Sequence, residues 1–188
     1  MNNCYLDAEA VITFFRMTGR KHIFITGSRG SGKSHLVNNM LKHMSDSFNL
    51  LQSHRTDTPQ VVIRSNLVAD NKEFVIGVPR TSGINPASKG NNMTIIEDGF
   101  INCAIPAIDT HLDTTPERLF VIDELGYLES SCIPFQKAVE KLLDNSHVLA
   151  VIRKQSTEFL NRICNRKDVL VIDIDSTFET LSCIIMAS

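Results

Sequence analysis

The 188-residue sequence has no excess of positive charge, because its 19 Lys and Arg residues face 21 Asp and Glu residues and give a formal net charge of -2. The basic residues are scattered along the chain and form no cluster. A protein that binds the phosphate backbone of a nucleic acid normally presents a basic patch. We therefore expect no nucleic acid as a main partner.

Closely spaced cysteines and long apolar runs are also missing. The 5 cysteines are odd in number and never occur as CxxC, so neither a disulfide framework nor a zinc site is indicated. No apolar run approaches the roughly 18 residues that span a bilayer, and Asp7 and Glu9 stand where a signal peptide would carry positive charge. We expect a cytoplasmic protein that makes no membrane contact.

Strand and helix patterns alternate near both ends of the chain. Asp7 and Gly19 bracket a predicted amphipathic helix, which is followed by a short apolar strand and by a second helix that runs to about Met44. The last third predicts further strands and helices in alternation, with strands at Leu119–Ile122, Val148–Ile152 and Val169–Ile174, and with Ser176-x-x-Glu179 as the cap of a final helix. This alternation predicts an α/β fold in three layers, with a mainly parallel central sheet and helices on both faces.

The middle of the chain has a different pattern. Residues 61–67, 74–78 and 93–97 are β-rich and are separated by turn-forming residues, so we expect an antiparallel hairpin region within 45–98. The segment 83–92 is rich in Gly, Asn, Pro and Ser and is the expected mobile loop. Residues 1–188 are expected to form one domain, in which 1–20 add an N-terminal helix.

A glycine-rich segment, GSRGSGKS at residues 27–34, follows the first predicted strand and precedes a predicted helix. It matches GxxxxGK[ST] at every fixed position, in the context that this phosphate-binding motif requires. Backbone N–H groups and the helix N-terminus surround the β-phosphate in such a loop. Lys33 is expected to reach the β- and γ-phosphates, and the Ser34 hydroxyl is expected to ligate Mg²⁺. The expected nucleotide-binding residues are Gly27, Ser28, Arg29, Gly30, Ser31, Gly32, Lys33, Ser34 and His35.

The last of these, His35, is included only because it directly follows Ser34. Its side chain is expected to pack on the helix or to project from it, and not to act as a ligand.

A second motif is the apolar strand Leu119-Phe120-Val121-Ile122, which ends in Asp123 and Glu124 and has the pattern of a Walker B strand. Asp123 is the expected metal ligand beside Ser34, because Mg²⁺ prefers oxygen ligands. Glu124 points in a different direction and can take a proton from an attacking water. Together the motifs predict Mg²⁺-dependent hydrolysis of ATP, GTP or another nucleoside triphosphate, with Lys33 and Glu124 as catalytic residues.

With these motifs the sequence resembles a family of small nucleoside-triphosphatases, the cancer-related NTPases, which are related to RecA-like ATPases. The resemblance covers the larger part of the chain and rests on the P-loop and on residues 99–107, 121–129 and 165–169. It implies slow hydrolysis of several nucleoside triphosphates with loose base preference, and it implies Glu124 as the water-activating residue. The chain departs from the family at Arg153-Lys154, where members usually carry a small or hydroxyl residue.

Several alternatives remain open at this point. A regulatory GTPase is one, because Asp123–Gly126 also reads as DxxG and Asn165–Asp168 is similar to NKxD. A small-molecule or nucleotide kinase and a nucleotide-dependent binding module are the others. The sequence defines neither a protein partner nor an oligomeric state.

An arginine can stabilise a transferring phosphoryl group, and the candidates here are Arg29, Arg153, Arg162 and Arg166.

Overall fold

The structure is a computed structural model that describes residues 7–44, 47–80 and 93–176. The strands are β1 (His22–Thr26), β2 (Phe48–Arg55), β3 (Val61–Ser65), β4 (Phe74–Pro79), β5 (Met93–Ile95), β6 (Leu119–Leu125), β7 (His147–Ile152) and β8 (Val169–Asp173). The helices are α1 (Ala8–Thr18), α2 (Lys33–Met44), α3 (Glu97–Gly99), α4 (Ile105–Thr114), α5 (Ile133–Asn145) and α6 (Glu158–Cys164). A π-helical turn (Phe100–Ala104) joins α3 to α4, and 3₁₀ turns lie at Ala69–Asn71 and Glu129–Ser131.

These strands form an 8-stranded sheet in the order β5-β4-β3-β2-β6-β7-β1-β8. Neighbouring strands from β2 to β8 in this order pair in parallel, whereas β2, β3, β4 and β5 pair antiparallel. The predicted fold class, a mainly parallel sheet with an antiparallel region in the middle of the chain, is therefore confirmed. Because β7 lies between β1 and β6, the loops that follow these parallel strands meet at one edge of the sheet.

Apolar side chains on both faces of the central strands explain the three layers. On β1, Phe24 belongs to the core beneath α4, α5 and α6, whereas Ile23 and Ile25 belong to the core beneath α1 and α2. On β6, Ile122 and Val121 divide in the same way. Alternate residues of a strand point to opposite faces, so a strand covered on both sides is apolar throughout.

The first helix packs against the P-loop helix and agrees with its prediction. The Asp7 carboxylate accepts a hydrogen bond from the Ala10 N–H at 3.2 Å, and Gly19 ends the helix with φ of 64°. Val11 and Ile12 are buried on the side that faces α2. The N-terminal helix α1 thus packs against α2, the helix that follows the phosphate-binding loop.

Two parts of the fold differ from the sequence prediction, which has no strand at β2 and no helices between 97 and 114. β2 is central, since it pairs with β6 on one side and with β3 on the other. The expected loop 83–92 and the helix expected after Ser176 lie outside the described residues. None of the described helices has the length and apolar character that crossing a membrane requires.

Candidate active site

The turn between β1 and α2 holds the glycine-rich motif in a closed loop. Gly32 has φ of 92°, a conformation that a residue with a side chain rarely adopts. Ser31 donates to the carbonyl oxygen of Ser28 through its backbone N–H at 3.2 Å and through its hydroxyl at 2.7 Å. The Lys33 ammonium donates to the carbonyl oxygens of Gly27 at 3.0 Å and Ser28 at 2.7 Å. The Lys33 ammonium therefore lies over the centre of the turn.

Contacts from the end of β8 hold the same loop from the outside. The Asp175 carboxylate accepts from the Ser28 backbone N–H at 2.7 Å and from the Ser28 hydroxyl at 2.6 Å. These hydrogen bonds keep the pKa of Asp175 below its ordinary value. Lys154 pairs with Asp175 at 3.1 Å and with Asp173 at 2.8 Å, and so ties the segment after β7 to the same point.

The Asp123 carboxylate, at the end of β6, interacts with the Ser34 hydroxyl of the P-loop. Burial raises the pKa of Asp123, and the neighbouring Glu124 adds to the rise, while the Ser34 hydroxyl and the Lys33 ammonium act against it. The structure thus brings together the two residues expected to hold Mg²⁺. Both offer hard oxygen ligands of the kind that this ion prefers.

A site of this type leaves most ligand positions to phosphate and water. Among residues 7–44, 47–80 and 93–176, no group of three or more His, Cys, Asp or Glu side chains is placed to hold a metal by itself. A cation that is bound by Ser34 and Asp123 alone is held firmly only when a nucleotide supplies further oxygen ligands. The donor set therefore fits a metal that arrives with its substrate.

Glu124 is ion-paired with Arg153, which follows β7 on the neighbouring strand end. Both side chains are partly buried, with 23% of Glu124 and 38% of Arg153 exposed. The Arg153 backbone N–H donates to the Leu125 carbonyl oxygen at 2.9 Å. A side chain at Gly126 would put its Cβ 2.9 Å from Arg153 Cδ, so the glycine leaves the arginine room to cross the turn.

These groups surround a cavity of about 810 Å³. Its walls come from the P-loop, the end of β2, the end of β6 and the segment after β7. The lining residues are Gly27, Ser28, Arg29, Gly30, Gly32, Lys33, Ser34, His35, Ser53, His54, Arg55, Val61, Glu124, Arg153, Lys154 and Gln155. Of the expected nucleotide-binding residues, only Ser31 does not line the cavity; the expected metal ligand Asp123 does not line it either, but interacts with Ser34, which does.

The structure separates the four candidate arginines. Arg29 and Arg153 line the cavity, whereas Arg162 and Arg166 do not. Arg162 instead pairs with Glu140 of α5 at 2.6 Å. The cavity therefore leaves Arg29 and Arg153 as the candidates among these four.

Arg166 lies at the opposite end of the sheet. It pairs with Asp168 at 2.8 Å and with Asp144 at 2.9 Å. The Asp168 carbonyl oxygen accepts from the backbone N–H groups of Lys21 and His22, which lie at the start of β1. The P-loop follows the other end of β1, so the segment Asn165–Asp168 is about 15 Å, one strand length, from the cavity.

Several residues of the site escaped the sequence analysis. Ser53, His54 and Arg55 reach the cavity because β2 ends there. Glu129 is buried beside the end of β6, with only 5% of the residue exposed. The sequence gives little sign of them. The polar run at 52–55 does not have the pattern of a strand, and a single acid six residues after Asp123 has the pattern of a surface residue.

The fold and the site define a P-loop nucleotide-binding protein of the α/β class. Residues 22–179 match the model of the protein family described as NTPase, and the chain belongs to this family of nucleoside-triphosphatases. The resemblance seen in the sequence is thereby confirmed, as is the assignment of the chain to an enzyme class.

Similar proteins agree with this family in sequence and in fold. The chain is 24% identical over 154 residues to nucleoside-triphosphatase THEP1 of Thermotoga sp. (strain RQ2), covering 81% of this chain and 86% of that protein. THEP1 of Thermotoga maritima is 23% identical over the same shares. The crystal structure of THEP1 from Aquifex aeolicus has a TM-score of 0.65 at 17% identity, covering 88% of this chain and 98% of that chain. The solution structure of a human cancer-related nucleoside triphosphatase has a TM-score of 0.59 at 19% identity, covering 89% and 96%.

Proposed function

We propose that this protein hydrolyses nucleoside triphosphates to the diphosphate and inorganic phosphate, with Mg²⁺ as the cofactor and with loose base preference. The observation that carries the proposal is the interaction between the Ser34 hydroxyl of the P-loop and the Asp123 carboxylate of β6. It joins the phosphate-binding loop to the end of β6, where Glu124 lines the same cavity as the loop. The relatives named nucleoside-triphosphatase support it, since their name specifies the class of substrate and no single base.

The phosphates bind first in this scheme. The backbone N–H groups of the P-loop and the Lys33 ammonium contact the β- and γ-phosphates, and Lys33 exchanges its present carbonyl partners for phosphate oxygens. Ser34 and Asp123 would hold Mg²⁺, which when bound would neutralise negative charge on the phosphate oxygens.

Glu124 then acts on the attacking water. Its carboxylate accepts a proton as the water oxygen forms a bond to the γ-phosphorus, and the bond from that phosphorus to the bridging oxygen breaks with its electrons on the diphosphate. A carboxylate one residue after the proposed metal ligand suits this role, because Glu124 lines the cavity together with Ser34 and Lys33.

Arg153 supplies positive charge beside the reacting group. It lines the cavity and is already ion-paired with Glu124. We propose that its guanidinium also contacts the γ-phosphate of a bound nucleotide, because a preorganised cation at this place stabilises the charge that spreads over the phosphoryl oxygens in the transition state.

The proposal includes the organisation of the chain. Residues 1–188 act as one domain, since the hairpin strands and the P-loop strand belong to one sheet. The cytoplasm is the proposed location, in keeping with free thiols at Cys103, Cys132 and Cys164.

A regulatory GTPase is disfavoured by the position of the segment similar to NKxD. In this structure Asn165 caps the end of α6, and Asp168 directly precedes β8 and accepts backbone hydrogen bonds from the start of β1, at the end of that strand away from the P-loop. Side chains there cannot read a guanine base bound at the cavity. A kinase and a non-enzymatic binding module are distinguished by the assay that follows.

The proposal is tested by phosphate release from ATP, GTP, CTP and UTP, with Mg²⁺ and with EDTA. We expect turnover of all four nucleotides within about tenfold of each other, which is roughly 1.4 kcal/mol in the free energy of activation, and loss of turnover with EDTA. Turnover of GTP alone with tight GDP retention would support the GTPase, and phosphate transfer to an added acceptor that outpaces hydrolysis would support the kinase. Nucleotide binding without any turnover would leave the binding module.

A further inference from the structure

Glu129 is a buried carboxylate for which the proposed reaction has so far no use. It lies in the 3₁₀ turn that follows β6, and only 5% of the residue is exposed. Acidic side chains are rarely buried unless they are paired or hydrogen-bonded, because leaving water costs several kcal/mol (about 2 to 7 for a neutral polar group, more for a charge). A surface position would avoid this cost, so its partners at the end of β6 are informative.

The Glu129 carboxylate accepts hydrogen bonds on both oxygens. Its Oε2 accepts from the Gly126 backbone N–H at 2.9 Å, and its Oε1 accepts from the Ser53 hydroxyl at 3.3 Å. Ser53 Oγ in turn accepts from the backbone N–H of Glu124 at 3.4 Å. The chain of donors therefore runs from Glu124 through Ser53 to Glu129, and a second donor, Gly126, meets Glu129 from the other side.

These contacts hold both ends of the segment from Glu124 to Gly126. The Glu124 amide is linked to the Glu129 carboxylate through Ser53, and the Gly126 amide bonds the same carboxylate directly. A carboxylate offers one acceptor oxygen to each donor, whereas a glutamine offers one acceptor and one donor group, so Ser53 would have to turn its hydroxyl proton elsewhere. Glu129 and Ser53 thus hold the backbone of Glu124, and the position of this backbone determines where the Glu124 carboxylate points.

Two charged groups and one further titratable group face Glu129. The charged groups are Glu124 at the end of β6 and Arg153 after β7, and the third group is the uncharged hydroxyl of Tyr127. Burial, with a smaller contribution from Glu124, raises the pKa of Glu129 to about 7, and the Gly126 hydrogen bond acts against the rise. The group is therefore costly to keep ionised where it lies, which a purely structural role at a surface turn would not require.

We infer that Glu129 is a positioning residue for Glu124, acting through the Ser53 hydroxyl and the Gly126 amide to hold the Glu124 carboxylate toward the cavity. The inference rests on the proposed hydrolysis. Glu129 contacts neither nucleotide nor metal in this scheme, so its removal affects the chemical step and leaves nucleotide binding in place.

The test compares Glu129→Gln and Ser53→Ala with the matched control Ser130→Ala. Ser130 donates to the Gly126 carbonyl oxygen at 2.6 Å, so its variant loosens the same turn without touching the link to Glu124. For each full-length protein we measure the Kd of a fluorescent ATP analogue and the kcat of phosphate release from MgATP. We expect Kd within about twofold of wild type throughout, kcat lowered at least about tenfold in Glu129→Gln and less in Ser53→Ala, and kcat near wild type in Ser130→Ala.

The inference is overturned if Glu129→Gln and Ser53→Ala retain wild-type kcat, if Kd weakens as much as kcat falls, or if Ser130→Ala loses as much kcat as they do. Ser53→Ala decides the question alone if Glu129→Gln does not fold. Glu124→Gln in the same assay separates this failure from that of the proposed function: wild-type turnover by Glu124→Gln refutes the proposed mechanism itself, whereas an inactive Glu124→Gln beside fully active Glu129→Gln and Ser53→Ala refutes only the positioning role.

Discussion

Arg153 is ion-paired with Glu124 across the adjacent ends of β7 and β6. The cation therefore lies beside the carboxylate that we propose activates water, and both line the cavity that the P-loop closes from the other side. In the proposed mechanism, this pairing keeps the guanidinium close to the γ-phosphate, where negative charge develops during hydrolysis.

Replacing Arg153 with Ala should lower kcat by about 10² or more, because a cation on the transferring phosphoryl group contributes about 10³ to 10⁵ in rate in related chemistry. The matched control is Arg162→Ala, which removes an arginine that pairs with Glu140 away from the cavity. Phosphate release by both variants is the measurement. Wild-type turnover in Arg153→Ala would remove this arginine from the mechanism.

Replacing Lys33 with Ala should weaken nucleotide binding by about tenfold to a hundredfold, because each hydrogen bond to a charged group contributes about 1.5 to 3 kcal/mol. Lys42→Ala is the control, since Lys42 lies at the far end of the same helix and bonds Asn39 at 3.1 Å. Titration with a fluorescent nucleotide measures both. Equal affinity in the two variants would show that Lys33 does not meet the phosphates.

The buried His22 at the start of β1 should make the fold sensitive to acid. Burial lowers its pKa to about 4, against the favourable charge of Asp168, while Lys21, Arg166 and His147 lower it further. Its Nδ1 accepts from the Val148 N–H at 3.2 Å, so the neutral ring carries its proton on Nε2.

A folded-state pKa below the ordinary 6.5 means that the unfolded chain binds a proton more readily. The stabilising contribution is complete above pH 6.5 and is lost as the pH falls to about 4, by up to about 3 kcal/mol. Urea unfolding of His22→Asn should show a weaker dependence on pH across this window than wild type. The exposed His43→Asn is the control, and a His22→Asn profile parallel to wild type would contradict the assignment.

Glu129 should act in the opposite direction. Its folded-state pKa of about 7 lies above the ordinary 4.5, so the folded protein binds the proton more readily and loses stability as the pH rises from 4.5 to 7. Relative to wild type, Glu129→Gln should therefore gain up to about 3 kcal/mol in the free energy of unfolding between pH 4.5 and pH 8. Glu158→Gln, at a side chain that is 97% exposed, is the control.

The two titrations overlap in pH and oppose each other, so the wild-type profile alone resolves neither. Differences between each variant and wild type separate them. A Glu129→Gln difference that stays constant from pH 4.5 to pH 8 would mean that the buried carboxylate titrates normally.

The sequence predicted the parts of the fold that local patterns determine. The P-loop strand and helix, the strand before Asp123 and the hairpin strands β3 to β5 follow from apolar periodicity and turn residues. β2 was missed because its second half is polar, since those side chains face the cavity or solvent and not the core. The helices between 97 and 114 were missed because a π-helical turn, at 100–104, shifts the apolar period and Pro106 interrupts the pattern.

The residues of the candidate site also fall into two groups, those in contiguous motifs and those that only the strand order brings together. Lys33, Ser34, Asp123 and Glu124 belong to contiguous motifs, and their chemistry can be read from a few neighbouring residues. Ser53 and Glu129 acquire their proposed roles only from the strand order that puts β2 beside β6, and Arg153, a candidate from the sequence, meets Glu124 because β6 and β7 are neighbours. No short-range pattern reveals that a glutamate six residues after the predicted metal ligand turns inward to meet a serine on another strand.

The central claim is that Glu124 activates water at a nucleotide held by Lys33, Ser34 and Asp123. The most direct measurement is single-turnover hydrolysis of MgATP by Glu124→Gln, with nucleotide affinity determined on the same protein. We expect wild-type affinity and a rate lowered by about 10² to 10⁴, the usual contribution of a general base. Hydrolysis by Glu124→Gln at the wild-type rate would contradict the mechanism.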